Sequence, residues 1–131
     1  MIEIVIDGNP VAKGRPRFSK YHAYTPKKTL DYEELIRSIF KDKYPQHILY
    51  ECPLRVHMVA CMKIPVSLSN NKKIELEDKY YVKKPDCDNL AKSVLDALNG
   101  ICFKDDSLVV VLNIEKRYSV EPRLEIKIWE L

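Results

Sequence analysis

The stretch from Lys83 to Asp106 reads KKPDCDNLAKSVLDALNGICFKDD, and its spacing decides how the rest of the chain folds. Leu90, Val94 and Leu98, joined by Ala91, Leu95 and Ala97, recur at helical intervals and predict an amphipathic helix with one buried face. Asn99-Gly100 supplies the stop, because glycine takes the left-handed conformation that ends a helix at no steric cost. Along the polar side Asp88, Lys92 and Asp96 fall at i, i+4 and i+8, a polar line in which each residue is in reach of the next. One acidic pair, Asp86 and Asp88, stands just before the helical pattern, and a second, Asp105 and Asp106, stands just beyond it. In an extended lead-in, Asp86 and Asp88 point one way and Cys87 the other.

Working outward, strands and a second helix surround this element. Ile2, Ile4 and Ile6 alternate with Glu3, Val5 and Asp7, which reads as a strand with one face buried, and Asp7-Gly8-Asn9-Pro10 ends it with turn chemistry. Thr25-Pro26 reads as a helix N-cap followed by proline in the first turn. Leu30, Tyr32, Leu35, Ile36, Ile39 and Phe40 then form the apolar stripe of a helix of about 14 residues that ends near Tyr44-Pro45. Leu54, Val56, Met58, Ala60, Met62 and Ile64 alternate in a strand closed by Pro65. The polar connection 67–83 carries a short helical pattern around 70–78. Leu108 to Leu112 is a continuous apolar run, which predicts a strand buried on both faces at its start. Leu124, Ile126 and Ile128 form a last strand, expected to pair with its predecessor as an antiparallel hairpin about Glu121-Pro122. The order β-α-β-α-β-β gives an α+β fold: a mixed sheet of four or more strands with two main helices in a single compact domain spanning 1–131.

At 131 residues and 46% hydrophobic, the chain can bury one core, and no linker or repeat divides it. Cys52, Cys61, Cys87 and Cys102 are widely spaced without a C-x-x-C pair, which argues for reduced thiols in a cytoplasmic protein rather than a zinc site. The start, MIEIVIDG, lacks the basic segment of a signal peptide, and no apolar run reaches membrane-spanning length. His22, His47 and His57 have no companions that would make them metal ligands.

The formal charge of +3 is small, but its distribution is uneven. Between Gly8 and Leu30 there is no acid, while Lys13, Arg15, Arg17, Lys20, Lys27 and Lys28 are all cationic. Pro10, Gly14 and Pro16 make this an extended, irregular arm, and Phe18, Tyr21 and Tyr24 are interleaved with the charges. Such an arm suits phosphate contact, with guanidinium groups forking onto phosphate oxygens; read alone, it could equally be a solvated loop. Lys84 adds positive charge beside the acidic pair, and Tyr80 and Tyr81 either stack on unpaired bases or pack the linker onto the domain.

Each acid alone has a plain structural role: Asp88 as an N-cap, Asp105-Asp106-Ser107 as a turn, and Lys92 as an ion-pair partner on the helix surface. If the turn returns beside the helix start, three or four carboxylates converge, and their repulsion is relieved by a bound cation. Oxygen donors without histidine or thiolate clusters favour Mg²⁺ or Mn²⁺. Such ions activate water and stabilise charge on a phosphodiester, and a neighbouring lysine adds to that stabilisation.

KPDCDNLAKSVLDALNG followed by DDS resembles the signature of the RusA-type Holliday junction resolvases, and GNPVAKGRPRF with YTPKK resembles that family's N-terminal motif. The resemblance implies a homodimeric, Mg²⁺-dependent crossover junction endodeoxyribonuclease of bacterial or prophage origin that nicks opposed strands of branched DNA. By match to the motif, Asp86, Asp88 and Asp106 correspond to the essential metal-site acids, Lys92 to the active-site lysine and Asp105 to an accessory acid, while Asp96 takes a structural role. Lys13, Arg15, Arg17, Lys27, Lys28 and Lys84 are the candidate DNA contacts. The alternatives are a branched-DNA-binding protein without nuclease activity, and a nuclease of broader flap or fork specificity.

If the arm contacts phosphates, DNA affinity falls steeply with salt. Replacing Arg15 and Arg17 by alanine then flattens the slope of log affinity against log salt by about one unit per charge removed. An unchanged slope takes the arm out of the interface.

Overall fold

The computed structural model describes all residues, Met1–Leu131. Its sheet has four strands in the order β1-β6-β4-β5, formed by β1 (Ile2–Asp7), β4 (Leu54–Lys63), β5 (Val109–Ser119) and β6 (Arg123–Glu130). β6 pairs antiparallel with both β1 and β4, whereas β4 and β5 run parallel, so the sheet is mixed as expected.

Strand alternation builds a one-sided core. Ile2, Ile4 and Ile6 of β1, Leu124, Ile126 and Ile128 of β6, and Leu54, Val56, Met58 and Ala60 of β4 are all buried on the face that the helices cover. Two helices close that face: α1 (Lys27–Lys43), packed on β1, and α3 (Cys87–Leu98), packed on α1 and β5. α3 contributes Leu90, Ala91, Val94, Ala97 and Leu98, so its apolar spacing meets the sheet as the sequence required. The residue after its C-cap, Gly100, adopts φ +78°, the conformation that Asn99-Gly100 was expected to supply.

Several details differ from the reading of the sequence. β5 and β6 do not form a hairpin: β4 lies between them, and residues 120–122 carry the chain across its end. Turn chemistry at Glu121-Pro122 marks a reversal without saying whether the strands on either side are neighbours. β5 is an edge strand rather than one buried on both faces, with Val110 60% and Leu112 43% exposed. A register shift between Leu54 and Arg55 leaves Val110 as the extra residue of a bulge, which breaks the apolar run's alternation. α1 spans 17 residues and its N-cap is Pro26, not Thr25. Its buried side is Thr29, Tyr32, Glu33, Ile36 and Phe40, while Leu30 and Leu35 are exposed.

Two smaller elements complete the chain. Within the arm, β2 (Arg17–Phe18) and β3 (Ala23–Tyr24) pair as a short hairpin where an irregular segment was expected. In the linker, α2 (Asn70–Leu76) is capped by Ser69, whose side chain accepts from the Lys72 amide, and buries no residue. Past α2 the chain straps onto β5: the Tyr81 amide donates to the Lys116 carbonyl and the Tyr118 amide to the Lys79 carbonyl. Tyr81 packs edge-on against Tyr118, and Tyr80 lies under the Arg117 guanidinium, so both tyrosines fasten the strap.

Ile126 sits on a central strand with no exposure, so Ile126→Ala removes buried atoms and leaves a cavity. Urea denaturation should register a loss of about 2–5 kcal/mol, against less than about 0.5 kcal/mol for Val110→Ala at the exposed edge.

Candidate active site and nucleic-acid interface

The start of α3 is built by converging contacts. Asp86 is the N-cap in extended conformation, and Cys87 is already the first helical residue, so the lead-in does not run extended through Asp88. Asp88 lies in the first turn, where the helix dipole favours an anion. Neither carboxylate caps the helix through its side chain, which leaves their oxygens free for other partners. Lys116 of β5 fixes the approach by donating to the carbonyls of Lys83 and Pro85. Lys84 donates to both Asp86 oxygens at 2.9 Å, so the cation nearest the acidic pair is one the chain itself provides. The pair is exposed, and such pairs contribute little to stability.

The second acidic pair lies elsewhere. Asp105 caps a single 3-10 turn (Asp106–Leu108) by accepting from the Ser107 amide, and hydrogen bonds from Ser107 hold its carboxyl below the usual aspartate range. Asp106 is exposed. Phe103, three residues earlier, bridges Asn99 at the far end of α3 and Tyr50 ahead of β4. A helix of 12 residues, about 18 Å, separates that end from Asp86. No three histidine, cysteine or acidic side chains group to hold a metal ion. The expected return of the turn to the helix start does not occur within one protomer, because residues 99–105 fold back toward Tyr50 instead. The carboxylate donors suit Mg²⁺ or Mn²⁺ in kind, but a single copy offers only Asp86 and Asp88 in one place.

Lys92 also departs from expectation. It pairs with Asp96 at 3.6 Å, one turn toward the C-terminus, rather than with Asp88. Asp96 is shared with Lys13, whose ammonium lies 3.1 Å away and bonds Glu33 of α1 at 2.6 Å. Lys13 is therefore a bracket between α1 and α3, not a free DNA contact. Burial pulls its pKa down, but the bonds from Glu33 and Asp96 outweigh that and raise it above 10.5. The arm is pinned further by the Lys13 amide donating to the Asn89 carbonyl, Gly14 to Thr29 Oγ1, and Ser93 Oγ to the Val11 carbonyl. Of the other candidate DNA contacts, Arg15, Arg17 and Lys28 line a concavity beside Pro85, and Lys27 is exposed and loosely paired with Asp31 at 3.8 Å.

Comparison with known proteins bears on this layout. The family model described as Endodeoxyribonuclease RusA matches residues 7–129. The chain belongs to the RusA endodeoxyribonuclease family. Membership implies endodeoxyribonuclease activity of the Holliday-junction-resolving kind. The chain is also 38% identical over 138 residues to the uncharacterized protein YqaN of Bacillus subtilis (strain 168), covering 99% of this chain and 96% of that one. In this RusA-family chain no helix is long and apolar enough to cross a membrane. All four cysteines are free, with Cys61 and Cys102 buried.

Two organising residues escaped the reading of the sequence. Glu33 falls at helical spacing with Thr29, Ile36 and Phe40, and an acid on an apolar stripe signals a buried partner. Lys116 shares the core-side register of Ile114 and Tyr118, where a cation needs carbonyl acceptors.

Lys13→Met leaves Glu33 buried without its cation and should cost about 2–3 kcal/mol, against under about 0.5 kcal/mol for Lys27→Met. Because the folded pKa of Lys13 is raised, that difference is fully present below pH 10.5 and declines as pH rises through the folded value. Urea titrations of wild type and variant at neutral and strongly alkaline pH measure it.

Proposed function

We propose that the protein is a Mg²⁺-dependent endonuclease that resolves four-way DNA junctions by symmetric paired nicks, in recombination and repair, and that it works as a homodimer. The observation that carries this reading is an exposed aspartate pair at the start of α3 beside an acid-free cationic arm, within a chain of the RusA family. Asp86, Asp88 and Asp106 are the residues assigned to the metal ion, with Asp105 accessory. A divalent ion bound there supplies water activation and charge stabilisation at the scissile phosphate.

The protein's own groups have separable tasks. Arg15, Arg17 and Lys28 hold phosphates and set the orientation of the duplex arms. Lys84 leaves Asp86 when a cation arrives and becomes available to the DNA backbone. Lys92 is 60% exposed on its side chain and can turn from Asp96 toward a phosphate at the helix start.

The helix-length gap between Asp86 and Asp106 supports a site shared by two copies. β5 has a free edge below the strap, where Val110 and Leu112 are exposed. Two such edges meeting antiparallel about a two-fold near Val111 set Asp106 of one copy level with Lys116 of the other. Lys116 holds the segment that leads into Asp86. Closed symmetry of this kind also presents two sites to two opposed strands.

A labelled mobile junction, a Y-fork and linear duplex, each with Mg²⁺ or EDTA, test the activity. Paired nicks on the junction alone, lost in EDTA and in Asp88→Asn, are expected. Tight binding without nicks favours a branched-DNA-binding protein, and equal cutting of the fork favours broader specificity. Mixing inactive Asp88→Asn with inactive Asp106→Asn tests the sharing. Heterodimers then regain one intact site and nick a single strand, whereas sites complete within one copy leave the mixture dead.

A further inference from the structure

The arm does more than present charge. Behind Arg15 and Arg17 lies a cavity of about 520 Å³, within the range that holds small organic ligands. Four prolines, Pro10, Pro16, Pro26 and Pro85, contribute to its wall, and these rigid rings offer flat apolar surfaces. Arg15, Arg17 and Lys28 supply three cations, and no acid lines it. Its base is closely packed: a Cβ on Gly14 would stand 3.0 Å from both Pro26 Cγ and Thr29 Oγ1. The main-chain amides of Ala12 and Arg15, which belong to the lining, donate to nothing else in the protein.

A second, independent feature adjoins it. Arg17 also begins the β2–β3 hairpin, whose Phe18 and Tyr21 are 81% and 84% exposed. Neither ring packs on the core, so each carries an unrelieved hydration cost. Aromatic side chains on a cationic surface are stabilised by stacking on bases, and apolar wedges open base steps at kinks.

Resting on the nuclease reading, we propose that the arm is a nucleotide-capture site: the Phe18/Tyr21 hairpin enters the stack at a DNA branch point, and the proline-walled cavity receives the nucleotide it displaces. Apolar walls with a cationic rim match a base carrying its phosphate, better than a phosphate alone or an uncharged ring alone. Pro85, in the wall, directly precedes Asp86, so the captured nucleotide's phosphate lies next to the acidic pair. A branch point is where pairing is already interrupted and unstacking costs least. Capture therefore selects junctions over continuous duplex through local structure, in addition to the spacing of two sites.

The test uses the full-length protein in EDTA with a four-way junction carrying 2-aminopurine at the crossover. Binding is followed in parallel by gel shift. No aromatic ring lines the cavity, so a captured fluorophore stays bright. Expected are a several-fold rise in fluorescence on binding and protection from acrylamide quenching. Phe18→Ala/Tyr21→Ala, which removes no charge, keeps the salt slope of binding but loses the rise. Binding without a rise, a rise undiminished in the double variant, or a fluorophore quenched as readily as in a free strand each overturns the proposal while leaving the nuclease reading in place. Absence of junction binding overturns both.

Discussion

The Lys13 ammonium is the contact on which the functional half of the molecule depends. It lies between Glu33 of α1 and Asp96 of α3, where burial would disfavour its charge and two carboxylates more than restore it. Two helices that share a sheet face need no salt bridge to pack. What Lys13 adds is the position of the arm, because the charged side chain and the neighbouring main-chain bonds to Asn89 and Thr29 come from the same residues. Arg15, Arg17 and the cavity exist where they do because residue 13 is held.

That contact also links the two halves of the site. Asp96 accepts from Lys13 and stands beside Lys92, so the charge on the arm sets the charge that Lys92 meets. Lys84 and Asp86 repeat the pattern at the helix start. Lys84 and Lys92 are thus already paired with acids, whereas Arg15, Arg17 and Lys28 line a concavity with no acid, so on the proposed reading DNA meets open cations in the arm and exchanges partners at α3. Exchange among exposed pairs is cheap, which suits a surface that must engage and release a polymer.

The strands and helices were legible because periods of 2 and 3.6 are local properties: β4 and α3 follow their apolar spacing closely. Strand order was not local. Nothing in 119–123 distinguishes a hairpin from a step across a neighbour, and β5's apolar run gave the same signal for an edge as for a centre. The site shows the same division. Asp86 and Asp88 could be placed at a helix start from spacing alone, whereas the location of Asp106 depended on where 99–105 travels. Lys13 read as one more cation in the arm because its partner, Glu33, lies 20 residues away on another element.

The placement of β6 has a consequence for how the sheet assembles. Residues 123–130 form the strand that both β1 and β4 need as a neighbour, and β1 pairs with nothing else in the sheet. Until that segment docks, the chain can hold a parallel β4–β5 pair, but its sheet has a gap in the middle. The two parts of the sheet are joined only when 123–130 inserts between β1 and β4, so losing those residues removes a central strand rather than fraying an edge.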